Sequence, residues 1–155
     1  MKPIDADTLS QMTISMLERT AMVLAEPAPP DATLPSPSHF ARIVYSGPSS
    51  GSITLAASEG FLRELASSLL GVEPTEVTIE SHGHDALREM ANIVGGSVLL
   101  ALAGDQCEYS LGLPALIPAA DATSNPTSAH AECAVSTESG LLRVQWKDTP
   151  KAKAA

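Results

Sequence analysis

Asp85, Glu89, Asn92 and Gly96 follow one another at steps of four, three and four residues in DALREMANIVGG. On a helix these steps stay on one stripe, so the spacing places a carboxylate and a carboxamide one turn apart on a single ridge. A carboxylate there can make a charge-assisted contact to a basic group of another molecule. A carboxamide can accept a hydrogen bond from a water through its oxygen while its amide group satisfies a nearby acceptor, so it orients the water without titrating. Gly95 and Gly96 each cost a helix about 1 kcal/mol relative to Ala, which suggests that something besides helix stability selects them. On helix physics alone the plainer account is a solvated face that tolerates Glu and Asn, with glycines that admit a neighbouring element.

The other chemistry-bearing groups offer less. His82-Gly83-His84-Asp85 brings two imidazoles and a carboxylate to a helix start, but a closed metal site needs ligands from elsewhere, and none is expected. His39 and His130 fall on strand-like segments with no partner visible in the sequence. Ser49, Ser50 and Ser52 sit in the turn between two strand-like segments; 47–51 spells Gly-x-Ser-x-Gly, but not at the strand-to-helix turn of a nucleophile elbow, which argues against serine hydrolysis. Cys107 and Cys133 both sit in strand-like segments, where buried, reduced thiols are expected.

A ridge that presents chemistry needs a helix fixed to a core. Leu87, Met90, Ala91, Val94, Val98, Ala101 and Leu102 gather on the side opposite the ridge, predicting a helix from near Ser81 to about Ala103 that ends at Gly104. Leu9, Met12, Met16, Thr20, Val23 and Leu24 predict an earlier amphipathic helix over 5–25, with Asp5, Asp7 and Thr8 available as caps. Alternation in 39–45 and 53–57 predicts a hairpin. Ser58 then caps a helix through about Leu70, with Gly71 as its stop. Further on come a strand over 106–113, a loop over 114–127 and a second hairpin over 129–146. The stretch EPAPPDATLPSPS, residues 26–38, holds five prolines and is expected to be an exposed connector without regular pairing. The tail from Lys147 lacks apolar pattern and is expected to fray, with 148–155 flexible. This order predicts an α/β fold of two layers, helices on one face of a largely antiparallel sheet, in one domain over 1–155.

Composition narrows the functions. A formal net charge of −9 without any Lys/Arg run disfavours nucleic acid. An acidic surface does not steer an acidic partner either, so docking on one must rest on local shape and a few placed groups. The first residues lack an apolar signal core, and no stretch approaches the ~20 apolar residues that span a bilayer, so a cytoplasmic protein without membrane contact is expected.

The stretch from Asp85 to Gly96 resembles the phosphatase signature of the CheC, CheX and FliY chemotaxis proteins: an Asp or Ser, a Glu four residues on, an Asn three beyond, and a Pro over twenty residues downstream. Pro114 in LGLP takes the last place, slightly short of the usual separation. A single copy of the motif is similar to CheX rather than to CheC-like members, which carry two. The resemblance implies a phosphatase acting on the aspartyl phosphate of a CheY-like receiver domain, with Asn92 positioning the attacking water and Glu89 docking on a receiver lysine. It also implies a homodimer, and no cofactor of its own, any Mg²⁺ belonging to the receiver. Asp85, Gly95, Gly96 and Pro114 complete the motif and its docking surface. The rival reading is a noncatalytic module like the CheC-related middle domain of flagellar switch proteins, which lacks the paired Glu and Asn.

Overall fold

The computed structural model describes residues 4–29, 31–103, 108–122 and 130–150; Gly104 and Cys107 lie outside them. Helix α1 spans Ala6–Ala21, strand β1 Glu26–Ala28, β2 Ser38–Ser46 and β3 Ser49–Ser58. Helix α2 spans Glu59–Leu70 and α3 His84–Ala103. Strands β4, Ser110–Leu111, and β5, Ala115–Ile117, precede the short α4, Ala119–Ala122. Strands β6, Ala131–Ser136, and β7, Leu141–Pro150, close the fold.

All seven strands join one antiparallel sheet, ordered β1-β6-β7-β3-β2-β4, with β5 also on β2. Strand side chains alternate between faces, so Ala41, Ile43 and Tyr45 of β2 share one face with Leu55 and Ile53 of β3 and with Val144 and Trp146 of β7. All seven are buried. Helices α1, α2 and α3 cover this face, and their apolar stripes join the strands in one continuous core.

Local signals set the helix ends. The Asp5 carboxylate accepts from the Thr8 N–H at the start of α1, and Ser58 accepts from Phe61 N–H at the start of α2. Gly71 closes α2 in the left-handed conformation, as its sequence position implies. Helix α1 ends sooner than expected, because Met22 turns into the left-handed region with φ 54°, which leaves Leu24 exposed while Val23 returns to the core. Leu9, Thr13 and Leu17 form its fully buried line, and Met12 and Met16 flank it.

Three segments depart from the sequence reading. The Pro-rich stretch is not wholly unpaired: Glu26–Ala28 lies on the sheet edge with Pro27 opposite Val135. An edge strand tolerates a residue without an N–H, and five prolines hide that short pairing from composition. Likewise, Lys147–Pro150 are no tail; they extend β7 against Ser49–Ser52, tied by the Asp148 carboxylate, which accepts from Tyr45 and Ser49 hydroxyls at 2.6 and 2.7 Å. Within 114–127, Ala115–Ile117 pairs with Phe40–Arg42 rather than looping freely.

Candidate active site

Helix α3 starts later than its periodicity suggests, because residues Ile79–Gly83 form a wider turn closed by i→i+5 bonds. From His84 onward it runs α-helically across the sheet. Leu87, Met90, Ala91, Val94, Val98 and Leu102 face the core as expected. Ala101 does not, and Leu99 is buried in its place; the buried stripe drifts toward Gly95, where strands approach closely. By length and composition Ile79–Ala103 is long and apolar enough to cross a membrane, yet half of that window is buried within the protein, as in a core helix.

Asp85, Glu89, Asn92 and Gly96 are all exposed, so the structure lays the expected ridge along the outer side of α3. The ion pair on this helix joins Arg88 to Asp85, three residues apart, and leaves Glu89 out. Such an exposed pair contributes little to stability. The two glycines behave oppositely. A Cβ on Gly95 would lie 3.0 Å from Ile43 Cγ2 and 3.2 Å from Leu111 Cδ1, so this glycine lets α3 settle onto β2 and β4. A Cβ on Gly96 would meet nothing within 4 Å. Packing therefore explains Gly95 and leaves Gly96 as an open notch beside Asn92. Pro114 is half-buried between β4 and β5, in the edge segment whose Leu111 touches α3. Beyond the notch Leu100, one turn further along the ridge, is 61% exposed, and Leu113 beside Pro114 is 89% exposed.

Among the described residues no group of three or more His, Cys, Asp or Glu could hold a metal ion. His82 is spent locally, its Nδ1 accepting from the Thr78 N–H. His39 and His130, without a visible partner in sequence, both have one. His130 Nε2 lies 2.6 Å from the Asp148 carbonyl, and its ring lies against Trp146 at a 34° tilt. His39 sits between Glu59 and His84, a contact across 45 residues that no local pattern signals. Desolvation, then His39 and Arg88, hold the His84 imidazole below its ordinary value, against the opposing pull of Glu80 and Asp85. Burial, and then its bond to Asp148, push the Tyr45 hydroxyl above its ordinary range. Cys133 is a buried free thiol, as expected.

Helices on one face of a seven-stranded antiparallel sheet are the architecture of the CheX and CheC-like chemotaxis proteins. The fold superposes on chemotaxis protein CheX from Vibrio vulnificus with a TM-score of 0.72 and 18% identity, over 92% of this chain and 94% of that one. A CheC-like superfamily protein from a Shewanella species gives 0.68 and 17%, over 96% and 99%. The CheX of the CheX–CheY–BeF₃–Mg²⁺ complex from Borrelia burgdorferi gives 0.65 and 18%, over 94% and 99%. No curated protein matches the sequence. The family model for chemotaxis phosphatase CheX matches residues 40–138, and the chain belongs to that family.

Proposed function

We propose that this protein hydrolyses the aspartyl phosphate of a CheY-like receiver domain, with Asn92 positioning the water and Glu89 docking the two proteins. The observation that carries the reading is the exposure of Glu89 and Asn92 one turn apart on a helix whose other face is fixed in the core. Family membership supports it, as does the Borrelia CheX, whose structure is of a complex with CheY.

An acyl phosphate is already activated, so hydrolysis mainly requires an in-line water. The Asn92 oxygen accepts a hydrogen bond from that water and aims its lone pair at phosphorus. A bond forms from the water oxygen to phosphorus, the bond from phosphorus to the aspartyl oxygen breaks, and the carboxylate and inorganic phosphate leave. A Mg²⁺ held by the receiver would supply charge balance for the phosphoryl group, and the step asks this chain for no cofactor of its own. Glu89 pairs with a receiver lysine and fixes the approach of Asn92. Asp85 and its partner Arg88 border the contact, Gly96 leaves room for the receiver, and Pro114 shapes the neighbouring edge. The protein works in the cytoplasm, where receivers are phosphorylated, as a homodimer.

The test is the decay of a phosphorylated receiver from the same cell, followed with and without the protein. Accelerated decay is expected. Binding without acceleration would make the protein a noncatalytic interaction module instead.

A further inference from the structure

Glu59, His39 and His84 form a chain of side chains drawn from three elements. Glu59 opens α2, His39 is the second residue of β2, and His84 opens α3. His39 Nε2 lies 3.0 Å from Glu59 Oε1, and His39 Nδ1 lies 3.0 Å from His84 Nε2, with the two rings tilted at 59°. A carboxylate only accepts, so the proton of His39 in the neutral pair is on Nε2, and its Nδ1 accepts from His84 Nε2–H. A hydrogen bond between two ring nitrogens holds one proton. The pair can therefore take up one proton from solvent and keep its contact, with Glu59 balancing the charge, but a second puts two N–H groups face to face.

We propose that Glu59, His39 and His84 act as a proton-operated clasp that positions the first turn of α3, and with it the ridge of Asp85, Glu89 and Asn92. The clasp is closed while at most one extra proton is bound, and it opens when the second imidazole protonates. This rests on the ridge being the working face. Two imidazoles do not close a metal site, and among the described residues no third ligand joins them. A cavity of about 160 Å³ beside the pair, lined by Ser38, Phe40 and Leu116 among others, gives a released ring somewhere to go.

The charged groups around His84 are His39 from β2, Glu80 from the turn before α3, and Asp85 and Arg88 from its own helix; Glu59 of α2 reaches it through His39. Desolvation, then His39 and Arg88, outweigh Glu80 and Asp85 and keep His84 below its ordinary 6.5. The unfolded chain thus binds this proton more readily than the folded one. Folding stability therefore falls as pH drops below about 6.5, while the clasp itself keeps its contact through the first proton and opens only when the second binds.

Imidazole ¹⁵N titration of the protein alone tests the clasp without any receiver. The two rings are expected to titrate as a coupled pair in two steps, with amide exchange at residues 84–89 accelerating at the second step. The activity arm compares receiver dephosphorylation at about pH 7.5 and at a pH below the second step found by the titration, each corrected for the receiver alone. The wild-type acceleration is expected to fall more than about tenfold, and that of His84→Gln, whose amide donates to His39 without titrating, less than about threefold. His39→Gln, whose carboxamide can bridge the same two partners, is the second variant and is expected to behave alike. Independent titration of the two rings, or an equal acid loss in wild type and both variants, would overturn the clasp. If no acceleration is seen at any pH the ridge reading fails, while the titration and exchange still decide the clasp.

Discussion

Replacing Gly96 by Ala sets the fold and the proposed function against each other. The added methyl meets nothing within 4 Å, so it costs no packing. Relieving a mid-helix glycine is expected to stabilise α3 by about 1 kcal/mol, which corresponds to a rise of roughly 2–4 °C in thermal midpoint at this chain length. Gly95→Ala gains the same backbone term but forces its methyl against Ile43 and Leu111 at 3.0 and 3.2 Å. Overpacking of that kind costs about 1–3 kcal/mol, so the net effect is destabilising by up to about 2 kcal/mol. Calorimetry separates the two variants by the sign of the shift. If Gly96 is a notch for a partner, Gly96→Ala is also expected to slow receiver dephosphorylation by about tenfold while the protein itself becomes more stable. A Gly96→Ala protein that melts earlier would refute the packing argument; one that melts later with full activity would refute the notch.

The Asp148→Ala variant is expected to lose about 1–3 kcal/mol, seen as an earlier denaturant midpoint, because Tyr45 and Ser49 lose their shared acceptor in a partly buried site. Cys133, whose thiol burial pushes up to about 11, is expected to resist alkylation near neutral pH in the folded protein and to react at once in denaturant. Light scattering at tens of micromolar is expected to give twice the chain mass of 16.0 kDa; a 16.0 kDa species alone would remove the homodimer. Glu89→Ala is expected to weaken receiver association and rate together, with a folding change of about 0.5 kcal/mol or less at an exposed position. Unchanged association would take Glu89 out of docking.

Where the determinant is local, the chain reads plainly. Ser58 and Gly71 bracket α2 because a hydroxyl cap and a left-handed glycine act within one turn of themselves. The ridge on α3 reads equally well, since helical periodicity alone puts Glu89 and Asn92 opposite Leu87, Val94 and Val98. What escapes is set by distant partners. The pairing of Pro27 with Val135 and of Asp148 with Gly51 depends on strands far away in sequence, and neither segment carries an apolar alternation to betray it. The His39–His84 contact escapes for the same reason. Gly95 and Gly96 look identical in sequence, and only the approach of Ile43 and Leu111 shows that one is explained by packing and the other is not.

The central claim is that the Asn92 carboxamide positions the attacking water, and single-turnover decay of a phosphorylated receiver at saturating protein tests it most directly. Saturation removes differences in docking, and Asn92 lies on the exposed ridge, so Asn92→Ala is expected to fold normally and to bind the receiver. The expected result is decay at nearly the rate of the receiver alone, the acceleration lost with the amide. A folded, receiver-bound Asn92→Ala protein that still accelerates decay as wild type does would contradict the assignment.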